Sequence, residues 1–202
     1  MFEHERRERY LNEAEKVYRE LLESAPGLTP VGGTYWKATK YGIFAPTNFR
    51  YVIGALNAVA FGEGKKLVDF GSGDGRVVEI AHLMGGEATG IEHDDSLVQL
   101  SIQAFKELRD RKIPTPPDSS IISGNAMEYN LGNPDIVWIY MAITTKDLFI
   151  DKFCKEAGIN SKLILFDPNR KAEYFTGKFS LKNHPASDSL HNTLIFTSSK
   201  NE

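Results

Sequence analysis

The sequence predicts a doubly wound α/β fold, in which helices cover both faces of a mostly parallel sheet. Two observations predict it. From residue 67 to residue 166, short apolar runs alternate with amphipathic segments of helical period, which is typical of parallel strands joined by right-handed helical crossovers. A glycine-rich turn follows the first of these apolar runs directly. The length of 202 residues suits one such domain with additional segments better than two domains.

The N-terminal part of the chain is expected to be helical. Between residues 4 and 25, apolar residues recur at three- and four-residue spacings, and Glu and Arg occupy the other positions, so we predict an amphipathic helix. Pro26-Gly27 ends it, and the residues up to Gly33 are expected to form a loop. We therefore interpret residues 1–46 as an N-terminal helical extension with a substrate-binding or lid segment.

The remainder, residues 47–202, is interpreted as one domain. A helix capped by Thr47 or Asn48 comes first. Seven strands are then predicted at 67–70, 88–92, 121–122, 136–140, 163–166, 175–181 and 193–197, with helices over 77–84, 96–111 and 146–157. No helix is predicted between the last two strands, so we expect them to form an antiparallel C-terminal hairpin.

The composition argues against several classes of protein. A hydrophobic fraction of 41% and a charged fraction of 25% are those of an ordinary globular protein, and the formal net charge of -3 disfavours duplex nucleic acid as a partner. Cys154 is the only cysteine and the five histidines lack metal-ligand spacing, so we expect neither a disulfide nor a bound metal. The charged start and the lack of a long apolar run predict a cytoplasmic protein with no membrane span.

The strongest functional signal is the turn Asp69-Phe-Gly-Ser-Gly-Asp-Gly75 between a predicted strand and a predicted helix. Glycines permit positive φ angles and let a ligand approach the main chain closely. Glu92 ends the next predicted strand, where a carboxylate can accept hydrogen bonds from both hydroxyls of a ribose. Together, the turn and this carboxylate predict a nucleoside ligand across the first two parallel strands.

The details of the turn indicate which nucleoside. In the dinucleotide fingerprint G-x-G-x-x-G, a third glycine would stand where this chain has Arg76. Asp69 and Asp74 place negative charge around the turn, which would repel a pyrophosphate but suits a ligand that carries an ammonium and a sulfonium. S-adenosylmethionine carries both groups. The phosphate loop of ATP and GTP hydrolases is not found in the sequence.

The stretch from Asp69 to Asp94 resembles the cofactor-binding half of the class I, seven-β-strand S-adenosylmethionine-dependent methyltransferases. Asp69 to Gly75 matches their first motif, Gly90-Ile-Glu92 their acidic second motif, and Gly124-Asn-Ala126 and Asp135 to Tyr140 continue the similarity. This resemblance implies a Rossmann-like seven-stranded sheet, S-adenosyl-L-methionine as the cofactor and methyl transfer as the activity.

A narrower resemblance concerns the segment Phe44-Ala-Pro-Thr47. It is similar to the Tyr-Val-Pro-Thr pattern of a branch of protein-lysine methyltransferases that is distantly related to Dot1-like histone enzymes. The branch implies a protein lysine side chain as the methyl acceptor. Phe44 lacks the hydroxyl of the branch's tyrosine, so no role of that hydroxyl is carried over to this chain.

The class-level resemblance also implies roles for individual residues. Glycines of the turn and Ser72 would line the methionine moiety, Asp69 would lie near its ammonium, and Glu92 would hold the ribose. The amide oxygen of Asn125 could accept a hydrogen bond from the adenine amino group. The expected cofactor-binding residues are Thr47, Asp69, Gly71, Ser72, Gly73, Gly75, Glu92, Asn125 and Ala126. The expected acceptor-side residues are Phe44, Tyr140 and Asn169, of which the last two follow strands at the same sheet edge.

Two alternatives stay open at this point. The chain is short, with little room for a large substrate domain, so the acceptor could be a small molecule. The chain could also be a non-catalytic module that keeps a nucleoside pocket and uses its N-terminal helix to dock a partner. An NAD or nucleotide-sugar enzyme fits less well, because its pyrophosphate would lie against Asp69 and Asp74.

Overall fold

The computed structural model describes residues 2–40, 42–140, 146–166, 172–179, 181–183 and 193–198. The helices are α1 (Phe2–Ser24), α2 (Phe49–Ala58), α3 (Arg76–Leu83), α4 (Asp95–Asp110), α5 (Lys146–Glu156) and α6 (Ala172–Lys178). The strands are β1 (Thr29–Val31), β2 (Thr34–Thr39), β3 (Gly42–Phe44), β4 (Lys66–Phe70), β5 (Glu87–Glu92), β6 (Ile121–Ser123), β7 (Ile136–Ile139), β8 (Lys162–Phe166), β9 (Leu181–Asn183) and β10 (Thr193–Ser198).

The main sheet has seven strands in the order β6-β5-β4-β7-β8-β10-β9. The first five of these are parallel, and β10 is antiparallel to both β8 and β9. The predicted doubly wound sheet with an antiparallel C-terminal hairpin is therefore confirmed. The strands β5 and β6 lie on one side of β4, and β7 and the later strands lie on its other side. The strand order therefore reverses between β4 and β7. Ligands of open α/β sheets bind at such a reversal, outside the carboxyl ends of the strands.

Two hydrophobic clusters cover the two faces of this sheet. Alternate residues of β4, β7 and β8 point to opposite faces, and these central strands are buried on both. One face packs against α1, α2, α3 and α4, and the other against α5 and α6. Burial on both faces fixes the register of the central strands, and hence the positions of the residues at their carboxyl ends.

The amphipathic helix predicted near the N-terminus is confirmed as α1. Its buried face, which includes Leu11, Val17, Tyr18 and Leu22, packs against α3 and α4. Glu and Arg side chains occupy most of the opposite face. None of the helices in the described ranges is both long enough and apolar enough to cross a bilayer.

The prediction of a loop up to Gly33 was wrong for residues 29–31, which form β1, and the N-terminal extension is not helical throughout. Residues 29–44 contain β1, β2 and β3, which form a separate antiparallel sheet. All three residues of β1 are exposed, so the strand lacks the alternating pattern of a half-buried strand. Pro and Gly residues around it suggested a loop, whereas pairing with β2 gives the segment its structure.

The predicted strand over residues 175–181 was also wrong in most of its length. Residues 172–178 form α6, and the strand β9 begins only at Leu181. Phe175 is the only buried residue of this short helix, so the sequence carries no helical period there. The predicted antiparallel pairing of the last two strands is nevertheless present, with Ser198 opposite Leu181.

Candidate functional site

The turn after β4 is held against the end of β5. The backbone N–H groups of Gly71 and Ser72 both donate to the carbonyl oxygen of Ile91, at 2.9 and 3.1 Å. Gly71, Gly73 and Gly75 have φ angles of 74°, 57° and 78°, a region that side chains rarely allow. The three glycines are therefore required by the path of the backbone itself.

Glu92 lies against this turn, as its position at the end of the neighbouring strand predicts. Its Oε2 accepts a hydrogen bond from the N–H of Gly73 at 2.8 Å. Its Oε1 accepts from the N–H groups of His93 and Asp94, also at 2.8 Å. The side chain is only 9% exposed. The carboxylate is thus fixed between the ends of β4 and β5, where both strands open into a cleft.

Asp69 is the buried acid at the end of β4. It is 2% exposed, and burial, together with the nearby carboxylates of Glu92 and Asp74, raises its pKa well above the ordinary value for aspartate. Its side chain accepts no hydrogen bond from the residues that the structure describes. A buried, unpaired carboxyl group at the wall of a cleft favours a cationic ligand, because the cation would restore the interactions lost on burial.

Asp74 and Arg76 form a buried ion pair beside the cleft. Arg76 Nε donates to both carboxylate oxygens of Asp74 at 3.0 Å, and its Nη1 donates to the carbonyl oxygen of Thr47 at 2.9 Å. The guanidinium also lies over the rings of Tyr18 and Phe49. The expectation that Asp74 presents free negative charge to a ligand was wrong, because Arg76 neutralises it. The sequence analysis did not predict this role of Arg76.

The cleft opens above the turn, and most of its lining comes from five parts of the chain. These are the segment from β3 to Thr47, the turn after β4, the end of β5, the residues after β6, and the end of β7. Of the expected cofactor-binding residues, those that line the cleft are Thr47, Asp69, Gly71, Ser72, Gly73, Glu92, Asn125 and Ala126. Lining residues that the sequence analysis did not single out include Thr39, Gly42, Ile43, Val77 and Phe149.

Gly75 does not line the cleft. A Cβ atom at this position would lie 3.0 Å from the Cβ of Ser101, so the glycine allows the turn to pack closely on α4. Ser101 Oγ in turn donates to the carbonyl oxygen of Gly73 at 2.9 Å. The structure thus places Gly75 behind the turn, where it sets the position of the glycines that face the cleft.

The residues after β6 form one end of the cleft. Ala126 is buried, whereas Asn125 is exposed. The Oδ1 of Asn125 accepts from the N–H of Met127 at 3.0 Å, and its Nδ2 donates to Glu128 Oε1 at 2.9 Å. An amide oxygen has two lone pairs, so one acceptor site of Asn125 is left for a ligand.

Aromatic residues form the opposite end. A Cβ at Gly73 would lie 2.6 Å from Cε2 of Phe44, so this ring rests directly on the glycine turn. Tyr140 lines the cleft and stacks on Phe166, with ring centroids 4.2 Å apart. Burial raises the pKa of Tyr140, and the nearby Tyr51 raises it further, so its hydroxyl is neutral at physiological pH. The third acceptor-side candidate, Asn169, lies outside the described residues.

The comparisons with known proteins concern the fold. No family model and no curated protein matches the chain. Similar solved structures include an RNA methyltransferase from Salinibacter ruber in complex with S-adenosyl-L-homocysteine (18% identity, 78% of this chain and 96% of that one, TM-score 0.54). Another similar structure is the C-terminal domain of precorrin-6Y C5,15-methyltransferase from Rhodobacter capsulatus (16% identity, 77% of this chain and 91% of that one, TM-score 0.53). A third is a TehB-like SAM-dependent methyltransferase from Corynebacterium glutamicum (15% identity, 73% of this chain and 88% of that one, TM-score 0.54). The chain therefore has the fold of SAM-dependent methyltransferases.

Proposed function

We propose that this protein is a methyltransferase that binds S-adenosylmethionine in the cleft and methylates the side-chain amine of a protein lysine. The observation that carries the proposal is the contact between the carboxylate of Glu92 and the glycine turn at Gly73, beside the unpaired carboxyl group of Asp69. The fold supports it, because one of the similar structures is described as a complex with S-adenosyl-L-homocysteine.

The residues of the cleft fit this cofactor. Gly71, Ser72 and Gly73 would face the methionine moiety, and Asp69 would pair with its ammonium. A carboxylate has about four acceptor sites. Three of those of Glu92 accept backbone N–H groups. A ribose hydroxyl would occupy the remaining site or replace one of these bonds.

The bound cofactor would supply a methyl group on a positively charged sulfur, which an amine lone pair can attack in line. A lysine has a reference pKa of about 10.4, so it must lose a proton before it can attack. The rings of Phe44 and Tyr140 would surround the amine and exclude water, and desolvation favours the neutral form. With the amine held in line, alignment can supply much of the rate without a dedicated base.

The charges around the cleft support an amine acceptor. Asp69 and Glu92 line it, and the one Asp–Arg pair at its wall is neutral overall. Such a site opposes an anionic acceptor group and tolerates a neutral amine. Phe44 and its neighbours in the N-terminal segment 1–46 line the cleft, which supports the proposed role of this segment in substrate binding.

A labelling experiment tests the choice of acceptor. Purified protein is incubated with a cell extract and tritiated S-adenosylmethionine, and the products are separated by size. The proposal expects labelled protein bands that yield methyllysine on hydrolysis, and weaker labelling with the Glu92→Ala variant at limiting cofactor. Label found only in small molecules would contradict the lysine assignment but keep the methyltransferase. Failure to form S-adenosylhomocysteine in any extract would instead favour a non-catalytic nucleoside-binding module.

A further inference from the structure

We propose that the outer edge of β3 binds an extended segment of the protein substrate by strand addition, and so delivers the acceptor lysine to the cleft. This inference rests on the proposed function and names the surface that the substrate would use. In strand addition, an extended peptide pairs with an exposed sheet edge through backbone hydrogen bonds, and pockets beside the edge select its side chains.

The small sheet has two edges, and they differ in chemistry. At one edge, β1 carries Pro30, which has no N–H group. A proline is tolerated in an edge strand when its missing donor faces away from the neighbouring strand. The outer edge of β1 therefore lacks a donor at Pro30, and prolines of this kind protect sheet edges from pairing. At the other edge, β3 has the sequence Gly42-Ile43-Phe44 with no proline.

The register shows which backbone groups of β3 are available. Pro30 lies opposite Tyr35, so the backbone groups of Tyr35 point away from β1 and toward β3. Lys37, two residues further along, points the same way and pairs with Phe44. Because hydrogen-bonded and non-hydrogen-bonded pairs alternate, the N–H and C=O of Ile43 point away from β2. Within the described residues, β2 is the only strand that pairs with β3.

This open edge borders the candidate site. All three residues of β3 line the cleft, and the ring of Phe44 rests on the glycine turn. Neighbouring strands lie about 4.8 Å apart. A strand added beside β3 would therefore run along the rim of the cleft, within reach of a lysine side chain.

Exposed apolar side chains accompany the edge. Ile43 lies opposite Ala38, and Trp36 is two residues before Ala38, so all three lie on the same face of the small sheet. Trp36 and Ile43 are 42% and 52% exposed. This face offers apolar contacts to alternate side chains of an added strand. On the opposite face, Lys37 Nζ donates to Asp94 Oδ1 at 2.8 Å, which ties the sheet to the start of α4.

The test uses synthetic nonapeptides that have a central lysine and randomised flanks. The peptide that the protein methylates fastest is then N-methylated at one backbone position at a time. Strand addition predicts a period of two: N-methylation at alternate positions lowers the affinity and kcat/KM about tenfold, the scale of one backbone hydrogen bond, and the intervening positions tolerate it. In amide hydrogen exchange of the unmodified protein, the peptide should also slow exchange of the Ile43 N–H.

Variants at the two edges complete the test. Ile43→Pro removes the outward N–H and should lower peptide affinity about tenfold, whereas Ile43→Val keeps that N–H and should bind peptide normally. Pro30→Val at the opposite edge is the matched control and should not change peptide affinity. Methylation with uniform tolerance of N-methylation, or with unchanged exchange at Ile43, would overturn the docking proposal and leave the lysine assignment intact. If no peptide is methylated or bound, the docking proposal and the lysine assignment are both contradicted.

Discussion

Glu92 connects the fold to the proposed chemistry at the scale of a single residue. Its three backbone hydrogen bonds hold the turn after β4 against the start of the segment that follows β5. The same carboxylate faces the cleft, where a ribose would bind. A side chain at this position thus shapes the site and would also bind the ligand.

Variants of Glu92 and of an exposed glutamate in the same strand, compared with each other, test whether the Glu92 carboxylate binds the ligand. Glu92→Ala should weaken binding of S-adenosylmethionine by roughly 1 to 3 kcal/mol, the scale for charged hydrogen bonds left unmade. Glu87→Ala, at the other and exposed end of β5, is the control and should bind as the wild type does. Isothermal titration calorimetry measures both, and an unchanged dissociation constant for Glu92→Ala would refute the placement of the ribose.

We expect the buried carboxyl group of Asp69 to lower the free energy of unfolding and to raise the affinity for S-adenosylmethionine. Because its folded-state pKa is raised, the folded protein holds this proton more tightly than the unfolded chain does. The free energy of unfolding therefore falls as pH rises from the ordinary aspartate pKa through the raised one. Asp69→Asn removes this cost, so the variant should be more stable than the wild type in urea unfolding, by a margin that grows as the pH rises above the ordinary aspartate pKa. Its S-adenosylmethionine affinity should fall, since the ammonium loses its partner.

Glu79→Gln is the matched control for that prediction. Glu79 lies on α3, is fully buried without a hydrogen-bond partner among the described residues, and has a pKa that burial raises. It does not line the cleft. Glu79→Gln should therefore gain stability in the same pH-dependent way and keep its affinity. Equal effects of both variants on affinity would show that Asp69 has no specific contact with the ligand.

At the scale of elements, Arg76 holds three parts of the chain together. It pairs with Asp74 in the turn, donates to Thr47 before α2, and lies over the ring of Tyr18 in α1. The N-terminal helix and the segment over the cleft are therefore both attached to the glycine turn by one side chain. A substitution at Arg76 is therefore expected to change the shape of the cleft.

Removing Arg76 leaves a buried carboxylate without its partner. Arg76→Leu should lower the free energy of unfolding by about 3–5 kcal/mol at neutral pH, the scale for breaking a buried ion pair. The double variant Asp74→Asn/Arg76→Leu should lose less, because no uncompensated charge is left behind. Arg109→Ala, which breaks an exposed pair with Asp118, should cost less than about 1 kcal/mol. Denaturant unfolding gives all three values, and a loss for Arg76→Leu no greater than for Arg109→Ala would contradict the buried-pair account.

The elements that could be predicted are those in which buried residues recur with the period of a strand or a helix. The central parallel strands β4, β7 and β8 are buried on both faces and the neighbouring helices on one, so these elements are visible in the sequence. The small sheet was missed because β1 and the outer face of β2 are exposed, and α6 because only one of its residues is buried. Tertiary contacts, rather than local pattern, decide the structure of these segments.

At the scale of the whole molecule, the topology brings the candidate site together. The turn after β4, the end of β5 and the end of β7 meet where the strand order reverses, so Asp69, Glu92 and Tyr140 share one cleft although they are far apart in sequence. This part of the site could be predicted, because the carboxyl ends of parallel strands share an edge. The contributions of Gly42 and Ile43 in β3 and of the Asp74–Arg76 pair could not, since they depend on contacts outside the βα pattern.

The central claim is that the cleft above Gly73 binds a nucleoside with a positively charged sulfur. Isothermal titration of the purified protein with S-adenosylmethionine, and separately with its demethylated product, tests it most directly. The account predicts saturable binding of both ligands at one site per chain, and weaker binding of both by the Glu92→Ala variant. No saturable binding of either ligand would contradict the account.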